Sequence, residues 1–104
     1  METTKESWFE AELNRVAGEI ALMSPERHRS KAQAYFQRAL TVARQQQAKS
    51  WELRAATSLA RLRRDRGKVR EARELLAPIY EWFTEGFDTR DLKEAKALLE
   101  ELAA

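Results

Sequence analysis

The chain has 104 residues, a net charge of +2 and no cysteine, so neither a disulfide framework nor a thiolate zinc site can form. Hydrophobic residues make up 43% and charged residues 35%, with three glycines and two prolines. This is too apolar for a disordered chain and too poor in turn residues for a β-sandwich. No apolar run approaches the ~20 residues of a membrane span, and residues 1–12 carry four acids and no apolar core, unlike a signal peptide. We therefore expect one cytoplasmic all-α domain.

The first two helices are predicted on either side of Pro25. The first begins at Ser7, where Ser7 and Glu10 have the spacing of a capping box, and it ends before Pro25 because proline cannot donate a helical hydrogen bond. We expect it to bury an apolar stripe formed by Leu13, Val16, Ala17 and Ile20. The second helix is predicted from about Arg29 to Gln47, with an apolar stripe formed by Ala32, Tyr35, Phe36, Ala39, Leu40, Val42 and Ala43.

Three further helices follow. The third is predicted from Ser50 to about Arg66 and stops at Gly67, because glycine suits the left-handed residue just past a helix end. Its apolar residues are Leu53, Ala56, Leu59, Ala60 and Leu62. The fourth is predicted from about Val69 to Glu85, through Pro78, with Ala72, Leu75, Leu76, Ile79, Tyr80 and Phe83 on its apolar face. The fifth starts after Asp88 and carries Leu92, Ala95, Leu98, Leu99 and Leu102.

The first two pairs of helices are copies of one pattern. Ser7-Trp8 recurs as Ser50-Trp51, and at the same offset (51 − 8 = 43) the residues Leu13, Val16 and Ala17 fall on Ala56, Leu59 and Ala60. In the second halves Ala32, Phe36 and Ala39 recur as Ala72, Leu76 and Ile79, at an offset of 72 − 32 = 40. We place repeat one at about 7–47, repeat two at about 50–85 and a closing helix at about 88–103. Such a unit buries its apolar face only by stacking on its neighbour.

The second copy resembles a tetratricopeptide repeat. It has Leu59-Ala60 where the first helix of a repeat meets the second, Gly67 in the turn, and Ala72, Leu76 and Ile79 on the second helix. Both copies are longer than the usual 34 residues, and Arg63 stands where the family has an apolar residue. The stretches 45–62 and 82–88 are similar to the C-terminal repeats of bacterial signalling ATPases that are fused to class III adenylate or guanylate cyclases. The resemblance implies a right-handed stack of two helix pairs with a capping fifth helix, in a fragment of a larger signalling protein.

Residues able to support catalysis are scarce in this sequence. His28 is the only histidine and sits between Arg27 and Arg29, with no cysteine to complete a metal site. The three glycines are isolated, so no phosphate-binding loop can be built from them. We expect no enzyme activity, no metal and no cofactor.

The charges divide along the chain in a way that suggests a binding groove. Residues 25–70 carry 13 bases and 3 acids, a net +10, whereas the two ends together carry −8. On the third helix Arg54, Thr57, Arg61 and Arg64 share one side at spacings of three and four residues. In the family that this chain resembles, that side lines a concave peptide-binding groove. An acidic or carboxylate-ended peptide would fit it, although a solvated face paired with the acidic fifth helix explains the same pattern.

The sequence thus predicts a non-catalytic module that binds a protein or peptide, either an external partner or the rest of its own parent protein. One alternative is an intramolecular structural or regulatory cap of an ATPase or cyclase without an open ligand site. A second alternative, nucleic-acid binding by the basic middle, is disfavoured because the basic stretch has no interleaved aromatic platform for stacking bases and the flanks are acidic. Trp8 and Phe9, at the end of the array, are candidates for self-association into a homodimer.

Overall fold

The computed structural model describes residues 4–23, 29–83 and 89–103, with side chains from Glu10 onward. These residues form five helices and no strand, which confirms the all-α class: α1 Thr4–Met23, α2 Arg29–Gln45, α3 Lys49–Asp65, α4 Val69–Trp82 and α5 Arg90–Ala103. None of the described helices has both the length and the apolar character needed to cross a bilayer. The predicted start at Ser7 is wrong, because α1 begins at Thr4 and Ser7 therefore lies inside the helix.

The helices are arranged in two layers. α3 packs against each of the other four helices, α1 packs on α2, and α4 packs on α5. No contact joins α2 to α4 within the described residues, so α1, α3 and α5 form one layer and α2 and α4 the other. The domain is 19 Å thick along its shortest axis, about the thickness of two stacked helices.

Polar contacts between the helices show their relative directions. Between α1 and α3 the contacts are Glu12 with Arg54 and Glu19 with Ser58. Between α3 and α5 they are Arg54 with Asp91, Arg61 with Glu94 and Arg64 with Glu101. Residue numbers rise together in both sets, so α1, α3 and α5 run parallel. Between α2 and α3 the order is reversed, since Arg44 pairs with Glu52 while Gln33 accepts a hydrogen bond from Arg66. Antiparallel neighbours and a parallel layer are what repeated helical hairpins produce.

The core lies between the two layers and is made mostly of residues on α2 to α5. Most of the apolar residues predicted on these helices are buried: Ala32, Phe36, Ala39, Leu40, Ala43, Leu53, Ala56, Leu59, Ala60, Leu62, Ala72, Leu76, Ile79, Leu92, Ala95, Leu98 and Leu102. Seven of these seventeen residues are alanines, whose small side chains let neighbouring helices approach closely. Tyr35 is an exception and is exposed.

The apolar stripe predicted to be the buried face of α1 is exposed, so this prediction is wrong. Leu13 is 53% exposed, Val16 37% and Ile20 61%. The helix instead buries Ala11 and Gly18, with Ala21 and Leu22 packed partly against the core. α1 contacts α2 and α3 only, and these two helices cover the small-residue side. No helix among the described residues lies against the apolar stripe on the other side.

The turns after α2 and α3 have the same backbone design. Gln47 (φ 55°) and Gly67 (φ 81°) are both left-handed. In each turn the amide of the following residue donates a hydrogen bond to a carbonyl in the last turn of the helix. Ala48 N donates to Ala43 O at 2.9 Å, and Lys68 N donates to Arg63 O at 2.8 Å. This is the Schellman pattern. The Gly67 stop is thus confirmed, and Gln47 occupies the equivalent position in the preceding turn.

Candidate functional site

A groove of about 400 Å³ runs across the parallel layer of α1, α3 and α5. Its lining is almost entirely polar: Glu12, Arg15, Arg54, Thr57, Ser58, Arg61, Arg90, Asp91 and Glu94. Of the four predicted groove residues, Arg54, Thr57 and Arg61 lie in this lining. Arg64 lies further along α3 and contacts α5 through Glu101. We call these nine lining residues together with Arg64 and Glu101 the α1–α3–α5 groove.

Arg54 is the central group of the groove. Its Nη1 donates to Glu12 Oε2 at 3.2 Å, and its Nε lies 3.2 Å from both oxygens of Asp91. The guanidinium carbon also lies 5.1 Å from the ring centroid of Trp51, in a cation–π arrangement. A single side chain of α3 therefore connects α1 to α5.

Glu12 is held by two arginines. Arg15 donates to both of its oxygens, at 3.0 and 2.7 Å, in addition to the bond from Arg54. Burial by itself raises the pKa of the Glu12 carboxyl, but the hydrogen bonds and charges of Arg15 and Arg54 outweigh it, so the pKa lies below its usual range. The hydrogen bond to Glu12 correspondingly raises the pKa of Arg15, against the opposing effect of its burial. Both groups stay charged at neutral pH.

Two more ion pairs lie further along α3. Arg61 Nη2 is 3.4 Å from Glu94 Oε1, and both side chains are 41% exposed. Glu94 also accepts a hydrogen bond from Arg90 at 3.0 Å, which together with Arg61 lowers the pKa of Glu94 despite some burial. Arg64 Nη1 donates to Glu101 at 3.0 and 3.1 Å, with Glu101 58% exposed. These pairs are more accessible to solvent than the pairs of Arg54 with Glu12 and Asp91.

The hydroxyls of the groove are used inside the protein. Thr57 is buried and donates to the carbonyl oxygen of Leu53 at 2.8 Å, so only its oxygen lone pair remains for a ligand. Ser58 Oγ donates to Glu19 Oε2 at 3.0 Å. Ser58 was not among the predicted residues.

Sequence reasoning also missed the contribution of α1. Glu12, Arg15 and Glu19 follow one another at spacings of three and four residues, so they share a face of α1 beside the apolar stripe. That spacing was the available signal. It could not reveal that this face meets Arg54 and Ser58, because the contact depends on how α1 stacks on α3.

A second, shallower pocket of about 530 Å³ lies where the end of α2, the start of α3 and the end of α4 meet. The carboxylate of Glu52 is buried there, 3.1 Å from Arg44 Nε and 3.4 Å from Lys49 Nζ. Lys49 Nζ lies 5.2 Å from the ring centroid of Trp82. These contacts satisfy the buried charge and connect three helices, which is a structural role.

The remaining predicted site residues, Trp8 and Phe9, have side chains outside the described part of the molecule. His28 lies outside it entirely. In the described ranges no three His, Cys, Asp or Glu side chains are grouped as metal ligands would be.

Comparison with known protein families, curated proteins and solved structures finds no match for this chain. The resemblance to tetratricopeptide repeats and to the repeats of bacterial signalling ATPases therefore stays a prediction.

Proposed function

We propose that this chain is a non-catalytic protein-binding module whose α1–α3–α5 groove receives an acidic segment of another polypeptide. In this proposal the fold is a right-handed stack of two tetratricopeptide-like helix pairs capped by α5, and the chain is part of a larger bacterial signalling protein. One observation carries it: Arg54, Arg61 and Arg64 each already bind a carboxylate across the groove. Guanidinium groups in that arrangement suit acidic side chains or a terminal carboxylate.

An incoming acidic segment has to replace the carboxylates of α5. The exchange is inexpensive at Arg61 and Arg64, because ion pairs this exposed contribute only about 0–1 kcal/mol each. Arg54 is different, since it is shared between Glu12 and Asp91 on two helices. We therefore assign ligand contact to Arg61 and Arg64, and assign Arg54 to holding the three helices of the groove together.

The test compares two pairs of arginines with the same three-residue spacing, one in the groove and one on α4. Arg61→Gln with Arg64→Gln removes two charges from the groove, whereas Arg70→Gln with Arg73→Gln removes two from exposed positions on α4. Binding of a synthetic glutamate-rich peptide with a free C-terminus is followed by fluorescence anisotropy, and folding by thermal denaturation. We expect the groove variant to lose binding at least tenfold, the α4 variant to change little, and both to melt like the parent.

Salt provides an independent check, because ionic strength screens contacts between exposed charges. Binding to the parent should weaken as salt rises, and the groove variant should lose most of this dependence. Equal losses in the two double variants would show that only bulk charge attracts the peptide, and the proposal would fail.

A second candidate function is favoured by the position of Arg54. Its charge is already paired with two carboxylates of the same chain, Glu12 and Asp91. This is expected of an intramolecular cap that stabilises an ATPase or cyclase and has no open ligand site. This account predicts that no acidic peptide binds and that the groove variant loses stability. Nucleic acid fits less well, because Glu12, Asp91 and Glu94 would face its phosphates.

A further inference from the structure

α1 presents an uncovered apolar face on the far side from its buried glycine. Leu13 is 53% exposed, Val16 37%, Ile20 61% and Met23 81%. We call these four residues the α1 stripe. They follow one another at spacings of three, four and three residues along ~15 Å of helix, and none of them lines the α1–α3–α5 groove.

The corresponding residues of the second repeat can be compared with this face. At the offset of 43 residues, Leu13 and Val16 correspond to Ala56 and Leu59 of α3, which are fully buried in the core. α3 contacts α1, α2, α4 and α5, whereas α1 contacts only α2 and α3. Ile20 and Met23 correspond to Arg63 and Arg66, so the Leu13–Val16 half of the stripe matches a helix-packing face of the second copy and is bare in the first.

The opposite end of the stack limits what can cover the stripe. The outward face of α5 carries exposed charges at Lys93, Lys96 and Glu100. A head-to-tail contact between copies would press these charges against Leu13 and Ile20 and leave them unpaired, which is costly. Among the described residues seven large hydrophobic side chains are exposed: four form the stripe, and the other three, Tyr35, Val69 and Trp82, lie on α2 and at the two ends of α4. The stripe is therefore an apolar surface that a second copy can match with its own.

We propose that two copies of this chain form a two-fold dimer in which the α1 stripes pack against each other. A self-complementary patch is what two-fold association requires, and the alternation of three- and four-residue spacings is the seam of two-helix coiled-coil packing. The acids beside the stripe do not oppose it, since Glu12 and Glu19 are already within 2.7 and 3.6 Å of Arg15. Because the groove lies outside the contact, this dimer and the proposed peptide binding can fail separately.

Analytical ultracentrifugation of the 104-residue chain tests the interface with a matched pair of valines. Val16 in the stripe is 37% exposed and Val69 at the start of α4 is 38% exposed, so a charge at either site costs the folded monomer little. We expect the parent to pass from monomer to dimer as concentration rises. Val16→Glu should raise the dissociation constant more than tenfold without lowering the melting temperature, and Val69→Glu should change neither. If Val16→Glu destabilises the monomer, Ile20→Glu, at a more exposed position, replaces it.

Disulfide cross-linking tests the pairing of stripe with stripe, because the natural chain contains no cysteine. A Val16→Cys, Ile20→Cys variant can link 16 to 16 and 20 to 20 between parallel helices, or 16 to 20 between antiparallel ones. The control, Val69→Cys with Arg73→Cys, has the same spacing on α4. A covalent dimer from the first variant and not from the second supports the proposal.

Three results would overturn the proposal. The first is a parent that sediments as a monomer at every soluble concentration, and the second is equal dissociation by Val16→Glu and Val69→Glu. The third is a series of oligomers growing beyond the dimer, which would indicate head-to-tail association.

Discussion

Adding one methyl group at Gly18 should reveal how α1 is held against the rest of the domain. Gly18 is buried in α1, and a Cβ built there would lie 2.5, 2.7 and 3.0 Å from three carbons of the Phe36 ring. Ordinary carbon contacts are about 3.5–4.0 Å, so helix and ring must separate by roughly 1 Å. Phe36 is 0% exposed and cannot swing into solvent.

Two opposing effects set the size of the change. Replacing glycine by alanine inside a helix favours folding by about 1 kcal/mol. Overpacking a closed core costs about 1–3 kcal/mol. Because the ring of Phe36 has no free space, we expect the steric cost to win, so that Gly18→Ala destabilises the domain by about 1 kcal/mol, or roughly 4–8 °C in melting temperature.

A double-mutant cycle with Phe36→Leu isolates the contact. The smaller side chain removes the clash, so in that background Gly18→Ala should stabilise by up to ~1 kcal/mol, leaving a coupling of about 1–3 kcal/mol. Urea denaturation of the four proteins, followed by circular dichroism, measures it. If Gly18→Ala changes the free energy of unfolding equally with phenylalanine and with leucine at position 36, residues 18 and 36 are not in contact. The face of α1 that carries Gly18 would then not be buried against α2.

Two more predictions concern the turns and the groove. Gln47→Gly should raise the free energy of unfolding by ~1 kcal/mol, because Gln47 is left-handed at φ 55°. Gly67→Ala should lower the free energy of unfolding by a similar amount. The cause is backbone strain alone, since no neighbouring group lies within 4 Å of the new Cβ. Denaturant titrations of the two variants measure both changes. For Glu12, whose pKa is lowered in the folded protein, the stabilising contribution is present above the unfolded pKa of about 4.3 and is lost as pH falls through the folded pKa. The stability difference between the parent and Glu12→Gln should therefore shrink in acid, and a constant difference down to pH 2 would contradict it.

The sequence predicted the elements on which the groove is built. Arg54 and Arg61 are one and three turns into a helix with a strong apolar period, so their shared side followed from spacing alone. The residues that bind them did not follow. Glu12 and Asp91 are 42 and 37 positions away from Arg54 along the chain, and only the stacking of α1 and α5 on either side of α3 brings them to it.

α1 buries a face that its apolar pattern does not indicate. Its stripe at Leu13, Val16 and Ile20 was recognised as apolar and wrongly expected to be buried, while the face that is buried consists of Ala11 and Gly18, which carry almost no hydrophobic signal. Gly18 matters because it lets the Phe36 ring approach the helix, and that pairing joins two helices.

By itself, the sequence determined the helices, their repeat and the apolar period of each, since these are local properties set by residue spacing and by stop residues such as Gly67. The tertiary structure decided which side of α1 is covered and which carboxylates reach Arg54, Arg61 and Arg64. A helical period specifies the angle at which a side chain leaves its helix. Burial and ion pairing depend in addition on which other helix stands at that angle, and for the α1 stripe none of the described helices does.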